Sequence, residues 1–332
     1  MRAVVLESYG GPEVLTVREV PDPVPGPEEV VVEVVATALN RADLLQRRGR
    51  YPGPPMAYEI PGMELSGRVS ALGERVSMWR PGDEVMGIVG GGAYAERIAV
   101  HERQLMAVPR SVGVADAAAI PEVWITAYDA LVSQGGLTSG RTALVHAGAS
   151  GVGTAAIQIA KAIGARVIVT ASAGKLASCL ELGADAAVDY RSEDFVARCG
   201  ELTGGSGVDV VLDVIGGDYV SRNLEALRTG GRIVQVGVMA GGVVQLDVGK
   251  MLPKRASLIG TVLRPRPLEE KIGLTRRFAA EILPLFDEGR CRPVIDSRFP
   301  LSEIAAAHER MEANANVGKI VIDVAPTLDD QA

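Results

Sequence analysis

Aromatic side chains make up only 4% of the 332 residues, and the chain holds three cysteines and three histidines. With so few rings, the core must be built from Val, Leu, Ile and Ala. Cys179, Cys199 and Cys291 lie far apart and form no Cys-x-x-Cys pair. A disulfide scaffold and a cysteine-rich zinc site are therefore excluded, leaving three reduced, buried or half-buried thiols as the expectation. His101, His146 and His308 have no companion catalytic group nearby in sequence, so structural or solvated roles are expected for them. Basic residues are outnumbered by acidic ones, 34 to 41. The net charge of -7 argues against a nucleic-acid or anionic-membrane partner. No uninterrupted apolar run reaches the ~18 residues of a membrane span, and the opening run stops at Glu7, too soon for a secretory signal. The expectation is a cytoplasmic, soluble protein acting on a small molecule.

What is present is ordinary globular composition, 47% apolar and 23% charged, in a chain long enough for two domains. The first 110 or so residues are β-rich. Residues 30–35 are a β-branched run, residues 67–72 alternate, and Pro25-Gly26, Pro61-Gly62 and Pro81-Gly82 punctuate them as turns, which predicts a barrel-like or sandwich domain. The texture changes near Ala115. Residues 117–131 are helix-prone, and from Arg141 strands and helices alternate. Strands are expected at 142–146, 166–170, 186–188, 208–213, 232–236 and 257–260, with helices at 151–163 and 175–182. Continuous β-branched runs alternating with helices predict an α/β fold with a doubly wound, six-stranded parallel sheet. Beyond Thr261, helices are expected at 268–287 and at 302–313, the latter capped by Ser302. A strand at 319–324 and a loose tail from Pro326 follow.

The glycine-rich turn Gly148-Ala149-Ser150-Gly151-Val152-Gly153 follows a strand and opens a helix. Unpaired backbone N–H groups at a helix start suit a pyrophosphate, so the turn reads as a dinucleotide site. Ser150 stands where Gly-x-Gly-x-x-Gly has its middle glycine; its hydroxyl could itself bond a phosphate oxygen. NAD binders usually place an acid about 20 residues on, at the end of the second strand. Here that place is Thr170-Ala171-Ser172-Ala173-Gly174-Lys175, without an acid. Ser172 and Lys175, with Tyr190 and Arg191 after the third strand, suit a 2′-phosphate, which favours NADPH over NADH. Read alone, Lys175 is also an ordinary solvated helix residue. Thr126, at the hinge into the nucleotide domain, reads as a cofactor contact, and Val238-Met239 after the fifth strand and Leu263-Arg264 after the sixth lie where strand ends meet a nicotinamide. Gly90-Gly91-Gly92 has no βαβ unit around it and reads as a structural turn.

The segments Gly10-Gly11-Pro12-Glu13-Val14-Leu15, Ala38-Leu39-Asn40-Arg41-Ala42-Asp43-Leu44, Ala119-Ile120-Pro121-Glu122-Val123-Trp124-Ile125-Thr126-Ala127, the turn just described and Asn316-Val317-Gly318-Lys319-Ile320-Val321 are together specific. Through them the chain resembles the medium-chain dehydrogenase/reductase superfamily over essentially its whole length. Within it, the resemblance is to the zinc-independent quinone oxidoreductase branch, p53-inducible quinone oxidoreductase type, which shares the Ser in the turn. The resemblance implies a GroES-like β-rich catalytic domain from residues 1–121 and 265–326, a Rossmann NADPH-binding domain from 122–264 and a tail at 327–332. It also implies a homodimer, often paired through the nucleotide-domain sheets.

Zinc-dependent members of the superfamily use an early Cys and the His of a Gly-His-Glu motif. Here Asn40 and Met63 stand at those places, and both are poor zinc ligands. Without a Lewis acid a simple ketone is hard to activate, whereas a quinone gains an aromatic ring on reduction. The resemblance implies that Asn40 and Tyr51 line the nicotinamide cleft, that Asp43 organises this corner and that Asn316 is a late cofactor contact. Tyr51, a phenol that stays protonated at neutral pH, suits a developing oxyanion, although a loop aromatic at this place needs no function. The leading expectation is NADPH-dependent quinone reduction, independent of zinc and flavin. Reduction of a conjugated carbon–carbon double bond by an enoyl-reductase-type activity is the second reading, and an NADPH-binding regulatory protein with little turnover the third. Elemental analysis of the purified protein tests the zinc expectation. No stoichiometric metal and no loss of turnover with chelator are expected, and a retained, required zinc would refute it.

Overall fold

A computed structural model describes residues 1–324. It divides into two compact units, one made of Met1–Glu122 with the returning stretch from Arg264, the other of Val123–Leu263. The tail expected at 327–332 lies outside the described residues.

The first unit opens with β1 (Arg2–Leu6) and β2 (Leu15–Glu19), an antiparallel pair. Its main sheet is organised on β3 (Glu29–Ala38), where Val30, Val31, Val32 and Val34 are all buried. A valine run of this kind packs on both faces of a sheet. Helix α1 (Arg41–Arg47) leaves the end of β3, and its third residue, Asp43, accepts the backbone N–H of Asn40 at 2.8 Å, half of a capping box. There follow β4 (Glu64–Leu72), β5 (Glu84–Ile88), β6 (Arg97–His101) and β7 (Leu105–Ala107).

In place of one helix over 117–131 the chain forms α2 (Val114–Ala117), α3 (Pro121–Tyr128) and a π-helical stretch, Asp129–Gln134. Pro121 lacks the N–H that would continue α2. The second unit then alternates strictly. Its elements are β8 (Thr142–Val145), α4 (Gly151–Ala162), β9 (Arg166–Ala171), α5 (Leu176–Glu181), β10 (Ala186–Asp189), α6 (Phe195–Leu202), β11 (Val208–Asp213), α7 (Tyr219–Ala226), β12 (Leu227–Gln235), α8 (Val248–Lys254) and β13 (Ser257–Gly260). The sheet order is β10-β9-β8-β11-β12-β13, all parallel. Counted within the unit this is 3-2-1-4-5-6, the doubly wound order expected from the alternation. Its strand order reverses beside β8, and such switch points are where ligands dock.

The returning stretch completes the first unit with α9 (Leu268–Glu281), α10 (Leu283–Asp287), β14 (Ile295–Pro300), α11 (Ile304–Glu312) and β15 (Lys319–Asp323). The single helix expected over 268–287 is two, because Pro284 cannot donate into a continuous helix. Ser302 is not the cap of the last helix. It lies inside a 3-10 turn, Leu301–Glu303, and α11 starts after Glu303 with no side-chain cap bond. The finished sheet runs β14-β15-β3-β4-β5-β7, with β6 also paired to β3. Thus the last strand of the described chain lies against the strand that leads to Asn40.

Candidate active site

In the second unit the glycine turn sits between β8 and α4. Its backbone is pressed against its neighbours. A Cβ on Gly153 would lie 2.4 Å from the Ala147 carbonyl oxygen, and one on Gly148 would lie 2.6 Å from Val169 Cβ. Only glycine permits this approach. Ser150 is the N-cap, its Oγ accepting the Gly153 N–H at 3.0 Å. Its own proton is left to donate. The N–H groups of Gly151 and Val152 belong to the first turn and have no acceptor within the helix. This cradle fits an anionic diphosphate.

The other predicted contacts of this unit distribute as follows. Ser172 and Tyr190 directly follow β9 and β10, whose ends Ala171 and Asp189 are register partners. Lys175, half-buried, donates its backbone N–H to Ser172 O at 2.8 Å, so Ser172, Lys175 and Tyr190 share one end of the sheet. The acid nearest Tyr190, Asp189, is already committed to the Arg191 N–H and the Ser192 hydroxyl. Thr126 is buried in α3, Ala149 is buried in the turn, Val238 and Met239 are exposed after β12, and Leu263 is half-buried.

Beside the turn stands an arrangement that sequence reasoning missed. His146 is fully buried at the end of β8, with Nε2 2.7 Å from Asn223 Oδ1 and Nδ1 3.0 Å from Thr170 Oγ1. Asn223 Nδ2 donates to Asp213 Oδ2, so its oxygen must face the imidazole. Nε2 therefore carries the proton and Nδ1 accepts from Thr170. Burial holds His146 below its ordinary pKa. The remaining oxygen of Asp213 takes the N–H groups of Ile215 and Gly216.

In the first unit, Asn40 sits in a buried ionic network. Lys319 Nζ donates to Asn40 Oδ1 at 2.7 Å and to the Leu39 carbonyl at 2.5 Å, and lies 2.7 Å from Glu64 Oε1. Asn40 Nδ2 donates to the same Glu64 Oε1 at 2.8 Å and to Ala38 O at 3.3 Å. Glu64 Oε2 accepts the Glu122 N–H at 2.8 Å. Asn40, whose Nδ2 donates to Glu64 and Ala38 and whose Oδ1 accepts from Lys319, and Met63 occupy the places where the resemblance would put zinc ligands, and an ammonium stands beside Asn40. A divalent cation does not fit this donor set.

Asp43, capping α1, also accepts the Tyr94 hydroxyl at 3.0 Å, while its Oδ1 is buried with no partner among the described residues. Burial pushes its carboxyl up to about 6, against the pull of the Asn40 and Tyr94 hydrogen bonds. Tyr94 Oη lies 3.4 Å from His308 Nε2, and Arg47 stands 3.5 Å from His308 Nδ1 while pairing with Glu312. Burial, assisted by Arg47, pushes His308 down to about 3.

Tyr51 is half-buried, and the Arg264 guanidinium lies 4.9 Å from its ring centre. Arg264 donates to Gly90 O, Tyr51 O and Gln46 Oε1, so it ties the Tyr51 loop to the glycine turn at residue 90. Burial raises the Tyr51 pKa, opposed by Arg264, and the phenol keeps its proton at neutral pH. Asn316 is half-buried and donates to Gly318 O at 2.8 Å. Thus the structure brings Asn40 and Asp43 into one network with Glu64, Lys319, Tyr94 and His308, four residues that went unassigned. A charged residue opening the apolar strand Lys319-Ile320-Val321-Ile322 was the visible signal.

Two family models match, the alcohol dehydrogenase GroES-like domain over residues 26–110 and the zinc-binding dehydrogenase over 151–277. Human quinone oxidoreductase is 30% identical over 327 residues, 97% of each chain. Among solved structures, the Escherichia coli quinone oxidoreductase complexed with NADPH is 31% identical with a TM-score of 0.88, covering 98% of this chain and 100% of that one. An NAD-dependent alcohol dehydrogenase is 34% identical with a TM-score of 0.86, over 98% and 100%. The enoyl reductase JamJ is 27% identical with a TM-score of 0.88, over 98% and 99%. The chain belongs to the medium-chain dehydrogenase/reductase superfamily. It is an oxidoreductase of that superfamily, with quinone oxidoreductases among its relatives.

Two buried groups titrate against each other in the first unit. Asp43 is raised from 3.8 to about 6, so folding gains stability as pH falls through 6 toward 3.8. His308 is lowered from 6.5 to about 3, so stability is lost as pH falls below 6.5. Urea unfolding at pH 7 and pH 5 separates the two. Relative to wild type, Asp43→Asn should lose, and His308→Gln should gain, about 1–2 kcal/mol on acidification. Parallel profiles for all three proteins would show that these groups are not shifted.

Proposed function

We propose that this oxidoreductase reduces quinones with NADPH, using neither zinc nor flavin. The observation that carries the reading is the Lys319–Glu64–Asn40 network at the place of the family's zinc ligands, which leaves an acceptor that needs no Lewis acid. The cofactor, when bound, supplies the hydride. The glycine turn and the start of α4, Gly148 to Val152, would hold the diphosphate. Ser172, Lys175 and Tyr190 would take a 2′-phosphate, with no acid at the end of β9 to repel it. Thr126, Val238, Met239, Leu263 and Asn316 serve the nicotinamide end in this reading. Tyr51, protonated and braced by Arg264, donates a hydrogen bond to the oxygen that gains charge, and Asn40 orients the reacting groups.

Reduction of a conjugated double bond is the second reading, favoured by the likeness to the enoyl reductase JamJ. Both acceptors are conjugated carbonyls and need the same features. NADPH oxidation with ortho-quinones, para-quinones and enones as acceptors decides between them, and tight NADPH binding without turnover would favour a binding protein. Lys175→Ala should raise KM for NADPH about tenfold, the worth of one charge-assisted contact, and leave KM for NADH unchanged. A wild type that prefers NADH would overturn the NADPH assignment.

The homodimer expected from the resemblance has support in β13. This strand is at the edge of the parallel sheet, and Leu258 within it and Leu252 and Val262 on either side are exposed. A second copy continuing the sheet would cover that edge. Light scattering should give twice the chain mass, and Leu258→Lys should shift it to one. No helix among the described residues is long and apolar enough to cross a membrane.

A further inference from the structure

We propose that the buried Lys319–Glu64 pair is the positioning element for Asn40, setting the one amide orientation on which turnover depends. The inference rests on the reading above, in which Asn40 serves the reacting end of the site.

The two ends of a carboxamide are nearly the same size and shape, so packing alone barely distinguishes an amide from the same amide turned over. Charge distinguishes them absolutely. An ammonium only donates and an ionised carboxylate only accepts. Lys319 at 2.7 Å therefore claims Oδ1, and Glu64 at 2.8 Å claims Nδ2. Turning the amide would set its NH2 against the ammonium and its oxygen against the carboxylate.

Both charges are themselves held. Lys319 spends its other two protons on Glu64 Oε1 and Leu39 O. Glu64 cannot swing because its second oxygen takes the N–H of Glu122, the last residue before the chain enters the second unit. Lys319 and Glu64 are 3% and 0% exposed, so no water competes. Stability does not account for the pair, since a buried ion pair is often replaceable by neutral groups without loss. What neutral groups would not supply is a single amide orientation.

The test compares Lys319→Met, Glu64→Gln and the double variant. Each single change leaves an awkward remnant, and Lys319→Met, which strands a buried carboxylate, should melt well below wild type. The double variant removes both charges and should recover most of the melting temperature. Its kcat should nevertheless remain at least about tenfold low, a loss typical of misplaced reacting groups, with KM for NADPH little changed. Adding Asn40→Ala to it should lower kcat no further. At atomic resolution, where amide nitrogen and oxygen are told apart, Asn40 should be turned or split between two orientations.

A double variant that regains kcat along with stability, or keeps the Asn40 amide unmoved, overturns the proposal. Should it not fold, Lys319→Gln combined with Glu64→Gln decides, since it keeps polar partners at both places while each Gln offers Asn40 either a donor or an acceptor. Its kcat falls with KM unchanged if the proposal holds and stays at the wild-type value if not. A wild type that turns over no acceptor sinks the functional reading instead, and the amide orientation in the crystal still judges this one.

Discussion

The ammonium of Lys319 is sealed from water, and much of the first unit is arranged around that fact. A buried charge must find its partners inside the protein or lose its charge. Here three partners come from two places: the carbonyl of Leu39 and amide of Asn40 after β3, and the carboxylate of Glu64 opening β4. β15 delivers the ammonium by pairing with β3, register Val321 with Ala38. Gly318 makes that delivery possible. Its φ is +80°, and a Cβ there would lie 2.2 Å from Val294 O. The turn, the strand register and the charge cluster thus constrain one another, and Asp43, capping the helix that starts at Asn40, belongs to the same structure.

The second unit solves a related problem with one carboxylate and uncharged partners. His146, Asn223 and Asp213 run from the end of β8 to the end of β11, the two central strands between which the order of the sheet reverses. Asp213 then fixes the N–H groups that follow β11, and Thr170 ties His146 to β9. Three strand ends beside the glycine turn are held by side chains that all find partners, and satisfied buried polar groups of this kind rigidify what they join. The turn can then offer backbone N–H groups in fixed directions, as an anion requires.

Legibility in the sequence followed the range of the interactions. The strands of the parallel sheet are runs of Val, Ile and Leu, and the glycine turn is contiguous, so both are visible in windows of a few residues. The contacts of Asn40 are not. Its partners are 24 and 279 residues away, and nothing local marks Glu64 as more than the acid beside Met63. Lys319 opens an apolar strand, an oddity that acquires meaning only when β15 is paired with β3. His146 showed no company because its partners, Thr170 and Asn223, belong to other elements. β14 escaped notice because Ile295-Asp296-Ser297-Arg298-Phe299-Pro300 has too few apolar residues for a pattern. The break between α9 and α10 was signalled locally by Pro284 and was outweighed by the apolar periodicity on either side.

The placement of Lys319 also orders the birth of the molecule. During synthesis Glu64 leaves the ribosome some 250 residues ahead of the lysine that neutralises it, and β3 waits as long for β15. The second unit is one uninterrupted segment, Val123–Leu263, and has every strand of its sheet before the returning stretch is made. Domains fold as units during synthesis once their residues are available. The nucleotide-type unit is therefore complete while the first unit still carries an unbalanced carboxylate and an open sheet edge. A chain halted before Lys319 would carry a finished second unit and a first unit in which Ala36, Thr37 and Ala38 of β3 still lack the strand that covers them.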